Sequence, residues 1–142
     1  MCRDIDIKRQ LKFLLLLSLV FFTARTEANE LNGKALLCKE ERSGINRDYG
    51  LVFGGGTVSK WFVVGYQKKQ QYTLPYNLSG TNLVKWQRIF EDRNLLFRET
   101  LRHVHIGAFG SKQYGTCDLS SKEQIFRKFD EIISAAKKKN KI

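Results

Sequence analysis

His103 and His105 are the only two histidines in the chain. Two residues apart in an extended segment, their imidazoles share a face and can reach one metal ion. A structural zinc site needs about four ligands, however, and the sequence marks no third. Cys38 and Cys117 are better used in a disulfide. Val104 and Ile106 read as the buried side of the strand, which predicts that the histidines face outward. His103 and His105 stand as metal candidates on spacing alone.

Other chemistry-bearing patterns are weaker still. Gly54-Gly55-Gly56 lacks the Gly-Lys-Ser/Thr ending of a phosphate loop and stands between two strand candidates. No Gly-x-Ser-x-Gly elbow occurs. Glu91, Asp92 and Glu99 are scattered among arginines and read as a solvated face, not as paired glycosidase carboxylates. Asn77-Leu78-Ser79 is a sequon that matters only in a eukaryotic source. The residues therefore mark no catalytic group and no cofactor. Aromatic residues interleaved with cations offer one possible ligand surface, built from Trp61, Lys68, Lys69, Trp86 and Arg88, of the kind that stacks sugars or bases.

The elements that would position these residues are mostly strands. Residues 33–41 alternate Leu36 and Cys38 with Ala35, Leu37 and Lys39. Asp48 to Gly54 puts Tyr49, Leu51 and Phe53 on one face, and the glycine triplet then permits a tight reversal. Thr57 to Tyr66 opposes Val58, Phe62, Val64 and Tyr66 to Trp61 and Val63. Further strands are predicted over 70–76, where Pro75 argues for an edge, and over 82–88, 94–98, 101–108 and 113–119. Ser43 to Asn46 supplies a turn. The period then changes. Ser120 and Glu123 have capping-box spacing, and Ile125, Phe129, Ile132, Ile133 and Ala136 recur at helical intervals, predicting one amphipathic helix over 121–139.

The amino terminus has the zones of an export signal: basic residues, an apolar run from Phe13 to Phe22, and Thr26-Glu27-Ala28 as a cleavage site. A spanning helix needs about 20 apolar residues, and this run is nearer half that. The expectation is a signal peptide over 1–28 and one β-rich domain over 29–142, periplasmic or secreted. In that compartment Cys38 and Cys117 should form a disulfide, so the first and last strands must be neighbours or face each other. The expected fold is mainly β (α+β): an antiparallel β-meander or small up-and-down barrel of about eight strands with one C-terminal helix. A two-sheet sandwich is the alternative.

The formal net charge is +11. From Asn29 onward, twenty Lys and Arg still face eleven Asp and Glu. Such a balance favours an anionic envelope component or an acidic protein as partner, with nucleic acid disfavoured because the cations form no block before Lys137–Lys141.

The run from Leu31 to Lys39 (LNGKALLCK), the segment Leu96-Phe97-Arg98-Glu99-Thr100-Leu101, the late Cys117 and the lysine-rich end together resemble short, uncharacterised exported proteins of marine bacteria. That resemblance implies a small β domain and assigns no activity or functional residue. A fainter likeness, of fold alone, is to periplasmic lysozyme inhibitors. The expected function is a small, exported, non-enzymatic binding module. The alternatives are a small metal-dependent or hydrolytic enzyme using His103 and His105, and a structural envelope protein.

Overall fold

The computed structural model describes residues 31–41, 47–88 and 92–140. The export-signal segment 1–28, the turn at 43–46, Glu91 and the last two residues lie outside them.

The described residues form a closed barrel of eight antiparallel strands followed by one helix. The strands are β1 (Ala35–Glu40), β2 (Asp48–Gly54), β3 (Thr57–Val64), β4 (Gln67–Ser79), β5 (Leu83–Gln87), β6 (Arg93–Phe97), β7 (Arg102–Ile106) and β8 (Lys112–Ser120), and the helix is α1 (Lys122–Lys139). Each strand pairs with its successor, and β8 returns to β1 in a register that sets Cys38 opposite Cys117. Those cysteines are joined, with Cα atoms 3.9 Å apart. The barrel, not the sandwich, is the architecture. An even number of up-and-down strands leaves the first and last antiparallel, and closure removes both sheet edges.

Period-two alternation fills the interior. Leu36, Cys38, Tyr49, Leu51, Phe53, Val58, Tyr76, Val84, Trp86, Leu96 and Cys117 form one buried cluster. A second cluster lies outside the barrel wall, where Ala35, Ile125 and Phe129 pack with Leu37, Val52, Trp61, Val63, Phe126 and Ile132. α1 thus covers the outer faces of β1 to β3. This explains why those strands read as near-continuous apolar runs (Ala35-Leu36-Leu37-Cys38, Leu51-Val52-Phe53, Trp61-Phe62-Val63). Both of their faces are buried.

Gly50 sits where the helix comes closest. A Cβ there would fall 2.7 Å from Ile125 Cγ2, and Ile125 is fully buried. The helix begins one residue later than its predicted cap. Ser121, not Ser120, is the N-cap, and its reciprocal partner is Gln124, not Glu123. Ser120 is still the last residue of β8, so its backbone belongs to the sheet. Lys137, Lys138 and Lys139 occupy the last turn, where the helix dipole favours cations.

Candidate functional site: a polar mouth on an apolar barrel

The interior changes character toward the end of the barrel where β1 finishes and β2 starts. Inward positions there are Tyr49, Lys60, Tyr72, Asn94, His103, His105 and Gln113, joined through the registers Lys60↔Tyr72, Asn94↔His105 and His105↔Gln113. Strand alternation places each of them, and a bulge refines the placement. Lys60 pairs with Tyr72 and Trp61 with Gln70, so Gln71 is extra and bends β4 at the rim.

His103 overturns the outward expectation. It is 2% exposed and points into the barrel. Tyr49 donates its hydroxyl proton to His103 Nδ1 at 2.7 Å. Asn94 turns its carboxamide oxygen to both imidazoles, accepting from His103 Nε2 at 3.1 Å and from His105 Nδ1 at 3.2 Å. The partners fix both tautomers: His103 carries its proton on Nε2 and His105 on Nδ1. Trp86 stacks on the His103 ring, 5.3 Å between centroids and 5° from parallel. Burial, with smaller contributions from Lys60 and His105, pushes the His103 pKa down to about 3. His103 is therefore a neutral core residue with both nitrogens engaged, and it has no lone pair left for a metal.

The apolar strand partner misled the sequence reading. Val104 is buried too, at 6% exposure, on the opposite side of the same strand. A strand buried on both faces gives no alternation from which the inward side can be chosen.

Beyond this buried network a recess of about 90 Å³ opens, lined by Lys60, Gln71, Tyr72, Arg88, Asp92, Asn94, His105 and Gln113. Lys60 reaches it from inside, its ammonium 4.5 Å from the centre of the Tyr49 ring. Burial lowers the Lys60 pKa, while Glu40 works to raise it. His105 is also lowered, again mainly by burial, with Lys60 acting in the same sense and Asp92 and Glu40 opposing. Tyr72 accepts a hydrogen bond from Trp86 Nε1 at 3.0 Å, and burial pushes its pKa up to about 12. The phenol keeps its proton and remains a donor.

The aromatic–basic surface expected from the sequence is dispersed. Trp61 lies on the outer wall with its ring 5.0 Å from that of Phe126. Lys68 is paired with Asp130 at 2.8 Å, and Lys69 is exposed on β4. Trp86 is inside the barrel at 2% exposure. Only Arg88 belongs to the mouth. Among the described residues, no group of three or more His, Cys, Asp or Glu could hold a metal ion.

A larger groove of about 690 Å³ runs between α1 and β2–β3 and includes Arg47, Asp48, Phe62, Val63, Lys128 and Ile132. It shares no lining residue with the recess. Its walls combine Phe62, Val63, Val64 and Ile132 with the charged Arg47, Asp48 and Lys128, and Asp48 Oδ1 is buried there without a hydrogen-bond partner.

Fold and site together define a small disulfide-closed β-barrel, filled by its own side chains, flanked by a helix and polar at one mouth. No protein-family model matches the chain, no curated protein does, and neither does any solved structure. Among the described residues no helix is long and apolar enough to cross a membrane.

Proposed function

We propose that this protein is an exported, non-enzymatic binding module whose barrel mouth engages an anionic envelope component or an acidic protein. The observation that carries this reading is the placement of Lys60 and Arg88 around a donor-rich recess at the end of an otherwise filled barrel. The excess of twenty Lys and Arg over eleven Asp and Glu from Asn29 onward supports it by drawing anionic partners from a distance. Periplasmic or secreted localisation rests on the signal-like amino terminus, and the disulfide is compatible with it. The likeness to short exported proteins of marine bacteria belongs to the same proposal.

The test is sedimentation of the purified chain with phosphatidylglycerol vesicles, with phosphatidylcholine vesicles as control and polyglutamate as a soluble competitor. Binding to phosphatidylglycerol or polyglutamate that weakens as salt rises supports the reading. Binding to neither anion overturns it.

A second reading has one observation in its favour: His105 and the Asp92 carboxylate line the same recess. A hydrolytic or metal-assisted role would use His105 Nε2 there. It is the weaker reading, because His103 is fully engaged and so leaves one imidazole, not two. Zinc titration followed by calorimetry distinguishes the two. Micromolar binding lost in His105→Gln would favour the metal site.

A further inference from the structure

The hydrogen-bond inventory of the recess is unbalanced. Lys60 brings an ammonium, Arg88 a guanidinium and Tyr72 a hydroxyl proton left over after its oxygen accepts from Trp86. His105 has its Nδ1 proton committed to Asn94, so the neutral ring presents Nε2 to the recess as an acceptor. Against the ammonium, guanidinium and hydroxyl donors stand one lining carboxylate, Asp92, the Gln71 and Gln113 amide oxygens and the neutral His105 Nε2. Arg88 is exposed and the other donors stand at the open mouth, so water satisfies them in the free protein, and an acceptor-rich guest exchanges that water for charge-assisted hydrogen bonds.

Charge limits the guest further. The two lining cations and Asp92 leave one net positive charge, and Glu40 adds a negative field from β1. This balance favours a singly charged guest over a doubly charged one. Volume sets the last bound. A recess of about 90 Å³ admits a small group at the tip of a guest and not a folded partner.

We infer that the mouth recess is a binding site for a single carboxylate group, presented end-on by a larger molecule, with Lys60, Tyr72 and Arg88 as its donors. This rests on the anionic-partner reading and narrows it from general charge attraction to one chemical group. The carboxylate oxygens take the place of water between Lys60 Nζ and Tyr72 Oη, and Arg88 closes over them from the rim. Protonated His105 adds a further donor at Nε2. The groups facing His105 are Lys60, Tyr72, Arg88 and Asp92 and, through Asn94, His103, with Glu40 beyond; burial and Lys60 hold its pKa below the ordinary imidazole value against the pull of Asp92 and Glu40.

The experiment is a titration of the full chain with sodium acetate, followed by amide and imidazole NMR, with inorganic phosphate in a parallel arm. Acetate should shift the Gln113 side-chain amide and the His105 ring, and bind more tightly as the pH is lowered below 6.5 and His105 gains its proton. His105→Gln should abolish that pH dependence. Lys60→Met should weaken acetate by tenfold or more, on the order of what a charge-assisted hydrogen bond contributes. Arg88→Gln changes an exposed residue, so its weakening of acetate cannot be assigned to misfolding.

Phosphate binding as tightly as acetate at pH 7.5 overturns the single-charge preference. Shifts confined to Lys137–Lys139, or an unchanged titration in both Lys60→Met and Arg88→Gln, overturn the site. If the recess is silent to acetate while the protein still sediments with phosphatidylglycerol vesicles, the site falls and the broader reading stands.

Discussion

Gly115 has no side chain at the point where Tyr49 crosses the barrel to reach His103. A Cβ on Gly115 would collide with Tyr49 Oη and would lie 3.2 Å from Tyr49 Cζ. The hydroxyl that occupies this space donates to His103 Nδ1, so one missing methyl group holds the buried network in register. Gly115→Ala should therefore destabilise by roughly 2 kcal/mol, as overpacking plus a broken buried hydrogen bond. Tyr49→Phe should cost about 1 kcal/mol alone and make the alanine cheaper in the double variant, because the colliding oxygen is gone. Urea unfolding of the four proteins measures this. Additive losses would show that the two residues do not meet.

The neutral state of His103 makes stability depend on pH. Its folded pKa is about 3, well below the ordinary 6.5, so it resists protonation when folded and accepts it readily when unfolded. The contribution is fully present above pH 6.5 and is lost as pH falls toward 3. Unfolding free energy should drop by about 1.4 kcal/mol per pH unit below 6.5, with His105 steepening the fall. Denaturant titrations at pH 7, 6 and 5 give the slope. His103→Gln should flatten it by about one proton, even if the variant is less stable throughout. An unchanged slope would mean that the ring protonates freely in the fold.

The disulfide joins β1 to β8 across a sequence separation of 79 residues. Intact mass without reductant should show two hydrogens fewer than the sequence predicts, with a peptide linking Cys38 to Cys117. Cys38→Ala should cost roughly 2–5 kcal/mol, since the bridge restricts the unfolded chain. Alkylation of both thiols without prior reduction would contradict the bond.

Helix docking and helix capping separate cleanly. Phe129 is fully buried against the outer wall, so Phe129→Ala should cost about 3–5 kcal/mol. Ser121→Ala removes the N-cap and should cost about 1 kcal/mol. Ser120→Ala, one residue earlier, should cost markedly less, because Ser120 is not the cap. Thermal melts of the three variants rank them, and equal losses for Ser120→Ala and Ser121→Ala would contradict the assigned boundary.

Much of the architecture was legible because it is written at period two and period 3.6. Tyr49, Leu51 and Phe53 declare one buried face, and Ile125, Phe129 and Ile133 declare one helical stripe. The paired cysteines then require the chain ends of the sheet to meet. The site was not legible, for a physical reason. Lys60, Asn94 and His103 are polar residues at inward positions, and polarity in a strand ordinarily marks the solvent side. Trp86 and Arg88 share a parity, yet the first lies inside and the second at the rim. Only depth along the barrel distinguishes them, and depth is set by register, which no single segment reveals. Lys60, between inward Val58 and Phe62, carried the one usable signal.

The account's central claim is that the anion goes to the barrel mouth and not to the lysines scattered over the outside. Diffraction at the bromine absorption edge, from crystals of the chain soaked in sodium bromide, tests it directly with a monoanion that scatters anomalously. The account predicts the strongest bromide peak inside the recess, within hydrogen-bonding reach of Lys60 Nζ and Tyr72 Oη. Peaks confined to Lys137–Lys139 and other surface cations, with none in the recess, would contradict it.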